Sequence, residues 1–144
     1  MIHACLYYFV TVNVPADDEL RPLFLAIRAV ETSGMAAPHR AVGDQGRSIG
    51  PYQITPAYWA DSGIGGKWMW CRSHAYSEAV MSAYWQRHCP DALRRRDSQV
   101  LARIHNGGPR GQTKRATWVY WQKVRKNLVN TMSPAPPGLA RCCE

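Results

Sequence analysis

Acidic residues are scarce in this chain: ten Asp and Glu stand against eighteen Lys and Arg, a formal charge of +8. The imbalance favours an anionic partner, whether nucleic acid, an acidic membrane or a negatively charged polymer such as a bacterial wall. It also makes any carboxylate in an apolar setting conspicuous. Five cysteines (Cys5, Cys71, Cys89, Cys142 and Cys143) lack the paired CxxC spacing of a metal site, and nothing calls for a metal or another cofactor. Their odd number and the adjacent C-terminal pair do not make a disulfide framework. Cys71 and Cys89 flank a predicted helix whose ends lie roughly 24 Å apart at ~1.5 Å per residue, beyond the ~7 Å Cα limit of a bridge. No apolar run reaches the ~18 residues of a membrane span. There is no internal repeat. With 46% hydrophobic residues in 144, one domain with a real core is expected.

Residues 1–20 form an apolar segment that reads either as an export leader ending at Ala16 or as a buried or mis-started N-terminus. It lacks a basic residue ahead of the run, and Tyr7 and Tyr8 interrupt it. A domain over 21–130 follows, then a Pro-rich disordered tail over 131–144. The first helix is predicted from Pro22 to Ser33, with Leu23, Phe24, Ile27 and Val30 on one face and Gly34 as its stop. Gly43, Gly46 and Gly50 are spaced for a small β-hairpin leading into "GPYQI", where Tyr52, Gln53 and Ile54 read as a short strand.

"TPAYWADSG" has a helix cap at Thr55, Pro56 at the first position and Gly63 at the end; "GIGGKWMW" is an aromatic loop. A helix from Ser73 presents Ala75, Tyr76, Ala79, Val80, Ala83 and Tyr84 as its apolar stripe and stops at Pro90. A basic turn with Arg94, Arg95 and Arg96 precedes a short helix, "SQVLARIH", halted by "NGGP". The last helix runs from Lys114 to Leu128 with Trp118, Trp121, Val124 and Leu128 on one side. The class is α+β, mostly helical with one small antiparallel hairpin.

Three places could do chemistry. Glu31 closes the first helix, beside the core residue Val30. A partly desolvated carboxyl near the negative end of a helix dipole is favoured in its protonated form, as a general acid requires. A solvated glutamate at a frayed end is the plainer reading. Asp44 sits in the turn of "VGDQGRS", where it either shapes the turn or presents an ionised carboxylate. A helix-end carboxyl opposite a hairpin carboxylate is the pair that glycoside hydrolysis uses. In "ARIHNGGPRG", Asn106 and Gly107 can present amide groups to a ligand, and His105 is a base, a donor or a structural tie. Of the aromatic set Tyr52, Tyr58, Trp59, Trp68 and Trp70, most belongs to a core, and one or two rings could stack on sugar faces.

The motifs "VETSG", "GDQGRSIGPYQITPAYW", "AYWQR", "LARIHNGGP" and "YWQKVRK", in that order, resemble the invertebrate-type lysozyme (destabilase) family from Leu25 to Leu128. The resemblance implies a lysozyme-like fold and hydrolysis of the β-1,4 bond between N-acetylmuramic acid and N-acetylglucosamine in peptidoglycan. Glu31 would be its acid and Asp44 its nucleophile or electrostatic stabiliser. Tyr52, Gln53, Ser48, Trp59, His105, Asn106 and Gly107 would bind substrate, with "SIGPYQIT" as the cleft floor. It also implies a secreted or exported protein. An isopeptidase activity proposed for some members would fall to Ser48 and His105. The chain departs from the family in lacking the cysteines of its ESGC-like and SCGPYQI-like segments. A lytic transglycosylase using Glu31 alone and an inactive wall-binding module are the rival readings. Nucleic acid is not an expected partner, since no recognition helix or RNA-binding motif accompanies the charge.

Overall fold

The computed structural model describes residues 19–132. The expected leader, ending at Ala16, lies outside these residues, as does the rest of segment 1–20 except Glu19 and Leu20, and the Pro-rich tail except its first two positions; Leu20 is already part of the core. Helix α1 spans Arg21–Glu31, with Pro22 in the first turn, where an N–H has no intrahelical partner to lose. Its inward face is Leu23, Phe24, Ala26 and Ile27. Beyond Glu31 the Thr32 N–H still bonds to the Arg28 carbonyl, and Ser33 and Gly34 then turn left-handed, so the helix cannot continue.

Two short strands follow, β1 (Val42–Gly43) and β2 (Ser48–Ile49), antiparallel with Val42 opposite Ile49 and Gly43 opposite Ser48. The next stretch corrects an expectation. Residues 51–53 form a turn instead of a strand, and only Ile54 bridges back to Ile49. The turn is possible because Gly50 (φ +76°) lies directly on the backbone of residues 71–72: a Cβ there would come within 2.0 Å of the Cys71 carbonyl oxygen.

Helix α2 (Pro56–Ser62) begins as expected, the Thr55 hydroxyl accepting the Tyr58 N–H at 3.2 Å, and Gly63 ends it. The "WMWCR" stretch winds into a 3₁₀ turn over Trp68–Arg72. Helix α3 (His74–His88) crosses the middle of the molecule. Its buried face is Ser77, Val80, Met81, Ser82, Tyr84 and Trp85, whereas Ala75 is exposed. The expected stripe was therefore rotated, because this helix is covered on more than one side and its apolar residues do not mark a single face. Pro90 ends α3 by opening the next helix, α4 (Pro90–Arg94), so Arg94 of the expected basic turn is helical.

Asp97 caps α5 (Ser98–Gly107) through Val100 N–H at 3.1 Å. The last helix, α6 (Arg115–Met132), outruns its predicted end. Trp121 and Val124 are buried on it, but Trp118 is 46% exposed and lies beneath the Arg103 guanidinium instead of joining the core.

The core sits where α1, α3, α5 and α6 meet. Phe24 stacks on Trp85 at 5.6 Å and meets Tyr52 edge-on at 6.0 Å. Trp85, completely buried, satisfies its indole N–H on the Leu101 carbonyl at 3.0 Å. Cys71 and Cys89 are both buried free thiols.

Candidate active site

A cleft of about 500 Å³ lies between the hairpin, α2 and the C-terminal end of α5. Glu31 enters it from the end of α1, only 18% exposed. Its Oε1 accepts the Tyr120 hydroxyl at 2.7 Å and lies 3.6 Å from His105 Nε2. Tyr120 comes from α6, 89 residues away. Burial, the negative charge of Glu31 and the hydrogen bond to it hold the Tyr120 phenol well above its ordinary value, so it stays a neutral donor.

His105 is buried on α5, with Nδ1 and the Tyr58 hydroxyl 3.3 Å apart and the Tyr58 ring edge-on. If Tyr58 donates to Nδ1, the ring proton rests on Nε2, facing Glu31. Burial pushes the Tyr58 phenol well up, which keeps it a donor, and its ring stacks on Tyr84 with centroids 3.8 Å apart. Tyr58 and Tyr84 both line the cleft and give it a rigid aromatic wall.

Asp44 faces the same cleft from the turn between β1 and β2 and is exposed. Asp44 (φ 47°) and Gln45 (φ 59°) are consecutive left-handed residues, a conformation costing of order 1–3 kcal/mol per residue. The turn is held by Arg47 Nε donating to the Asp44 carbonyl at 2.9 Å. Behind it Ser48 donates to Gln53 Oε1 at 2.8 Å, and Gln53 Nε2 donates to the Gly50 carbonyl at 2.8 Å. Gly43 leaves room for that pair, since a Cβ would stand 2.2 Å from Gln53 Oε1.

Five of the nine residues given a catalytic or substrate-binding role from sequence therefore share one cleft: Glu31, Asp44, Gln53, His105 and Asn106. Four do not line it. Tyr52 is completely buried, donates to Glu78 at 2.5 Å and belongs to the core; its expected place beside substrate is corrected by the burial of its ring against Phe24. Ser48 is 2% exposed and serves Gln53, with no hydrogen bond to His105. Trp59 turns away, its indole donating to the Tyr76 hydroxyl at 2.9 Å. Gly107 packs towards α6, where a Cβ would meet the Thr117 methyl at 2.4 Å, and its carbonyl accepts Lys114 Nζ.

The sequence reading also missed residues. Asp61 lines the cleft from α2, gripped by His88 at 2.7 Å and by Arg87 at 3.6 Å; the scarcity of acids was a signal that could have flagged it. Tyr120 appeared only as the first residue of the "YWQKVRK" motif, with nothing local to tell it from the core residue Trp121 beside it. Among the described residues no cluster of His, Cys, Asp and Glu could hold a metal ion, and no helix is long and apolar enough to cross a membrane.

No family model matches the chain. It is 40% identical over 85 residues to lysozyme 1 of Crassostrea virginica, a match covering 58% of this chain and 46% of that protein. It is 34% identical over 91 residues to invertebrate-type lysozyme 6 of Caenorhabditis elegans, covering 54% and 65% respectively. The matches thus span about half to two thirds of these curated relatives' own length. The crystal structure of Tapes japonica lysozyme superposes with a TM-score of 0.62 at 30% identity, covering 74% of this chain and 88% of that one. Sharing sequence and fold with these proteins over most of its described length, the chain belongs to the invertebrate-type lysozyme family.

Proposed function

We propose that this protein is a peptidoglycan muramidase, hydrolysing the β-1,4 bond between N-acetylmuramic acid and N-acetylglucosamine. One observation carries the reading: of the three carboxyl groups lining the cleft, Asp61 is engaged by His88 and Arg87, and the other two sit in unlike surroundings, Glu31 largely enclosed and held by Tyr120, Asp44 open to solvent. Glycoside hydrolysis divides its labour in this way. Glu31 protonates the departing glycosidic oxygen as the bond breaks. Asp44 attacks the anomeric carbon or shields the positive charge that develops there. Glu31, now ionised, takes a proton from the water that completes the hydrolysis. Gln53 and Asn106 offer amide groups to the sugar's hydroxyl and N-acetyl substituents, and the Tyr58–Tyr84 stack gives a ring a flat wall to rest against.

The excess of positive charge suits a polyanionic wall, and this substrate requires export to the wall, the periplasm or the medium. The test is turbidity loss of a peptidoglycan suspension by the wild type beside Glu31→Gln and Asp44→Asn. Clearing by the wild type and silence of both variants supports the two-carboxylate muramidase. Silence of Glu31→Gln alone, with anhydro-muropeptides dominating the mass spectrum of the products, replaces it with a lytic transglycosylase. Wall binding without clearing, unchanged by Glu31→Gln, leaves a binding module.

A further inference from the structure

The geometry points to Tyr120 as a positioning residue that holds the carboxyl of Glu31 in the orientation in which it donates its proton. This rests on the reading of Glu31 as the acid. Glu31 is the last residue of α1, where the chain turns away at Ser33 and Gly34, so the helix itself does little to fix a side chain with three rotatable bonds. What fixes it arrives from distant elements. The Tyr120 hydroxyl donates to Oε1 at 2.7 Å, and His105 Nε2 stands 3.6 Å from the same oxygen. Both contacts fall on Oε1, which leaves Oε2 as the oxygen that meets a ligand.

Tyr120 is not part of the cleft lining, so its influence on the reaction passes through Glu31 and not through contact with sugar. The groups around that carboxyl are Tyr120 from α6, His105 from α5, Tyr58 from α2 behind His105, and Asp44 across the cleft. Of these, Tyr120 is the closest donor. Its phenol is held neutral by burial and by Glu31's charge, so it donates at every pH at which such an enzyme works.

Removing one hydroxyl tests this. Tyr120→Phe keeps the ring and its packing but cannot donate. Hydrolysis of a soluble alternating N-acetylglucosamine–N-acetylmuramic acid oligosaccharide should show kcat falling about tenfold or more, as misplacement of a reacting group by ~1 Å costs up to ~100-fold. KM should stay within about twofold, because Tyr120 does not touch substrate. The alkaline limb of the kcat profile should move to higher pH, because a carboxylate that loses a donor holds its proton longer. A loss of packing alone would not move that limb.

In the Glu31→Gln background the same change should add no further loss. A Tyr120→Phe enzyme with wild-type kcat and limb, beside a silent Glu31→Gln, overturns the role of Tyr120 and leaves Glu31 standing. An active Glu31→Gln enzyme removes the acid itself. Should Tyr120→Phe melt below the assay temperature, 3,5-difluorotyrosine at position 120 keeps ring and hydroxyl while strengthening the donor. The alkaline limb should then move to lower pH, and an unmoved limb overturns the proposal.

Discussion

Replacing Gly50 with alanine should separate two penalties that usually arrive together. Gly50 has φ +76°, and its added Cβ would stand 2.0 Å from the Cys71 carbonyl oxygen, 2.8 Å from its carbon and 3.0 Å from Arg72 Cα. All three are backbone atoms, so no side chain can rotate out of the way. The left-handed conformation alone costs an L-residue about 1–2 kcal/mol. Pushing two backbone segments apart adds about 1–3 kcal/mol, as overpacking does elsewhere. The total is roughly 2–5 kcal/mol; at about 4 °C per kcal/mol for a domain of this size, the melting temperature should fall by roughly 8–20 °C.

Gly34→Ala is the internal control. Its φ is +74°, but nothing lies within 4 Å of the new Cβ, so it carries the conformational penalty alone. Calorimetry or urea denaturation of the two variants measures the difference. Gly50→Ala should also lower wall-lytic activity by more than its stability loss explains. Gly50 accepts from both the backbone and the side chain of Gln53 and donates to Ala41, so any shift there moves the hairpin that carries Asp44. If Gly50→Ala destabilises no more than Gly34→Ala, the close approach to residues 71–72 does not constrain the fold and the reasoning fails.

Two further outcomes follow from charge. Burial pushes the Cys71 thiol up to about 12 and Cys89 up to about 11, from an ordinary 9.0. The unfolded chain ionises these thiols first, so the stability they contribute is complete below about pH 9 and is lost as pH rises towards 12. Urea midpoints should therefore fall steeply across that window, and a flat series would contradict the burial of both thiols. On α6 the charged residues Arg115, Lys123, Arg125 and Lys126 are all exposed cations. Wall lysis should weaken as salt rises and the screening length shrinks to ~3 Å at 1 M, while cleavage of a short neutral oligosaccharide should not. Equal salt dependence of the two reactions would refute electrostatic steering.

Local chemistry made much of this molecule legible. Caps and breakers announce themselves: Thr55 with Pro56, Ser73 and the glycine after Ser62 lie where the sequence puts helix ends, since a cap depends on only a few neighbouring residues. Glu31 and Asp44 stood out because acids are few and each sits at a visible terminus or turn. Failures came where a neighbour distant in sequence decides. The 51–53 segment looks like a strand until the backbone of residues 71–72 presses on Gly50. Helix α3 hides its buried face because it is packed on several sides, so periodicity carries little information there.

Tyr52 and Tyr120 make the same point from opposite sides. Both are tyrosines among apolar residues, and nothing in their neighbourhoods tells a core ring from one that serves an acid. Phe24 and Glu78 claim the first, while Glu31, 89 residues from its partner, claims the second. By itself the sequence determined several helix caps, the basic balance and the two carboxyl candidates, because each depends on composition or on residues a few positions apart. The tertiary structure alone decided which side chains meet across the cleft, because a contact between α1 and α6 exists only after the core between them has packed.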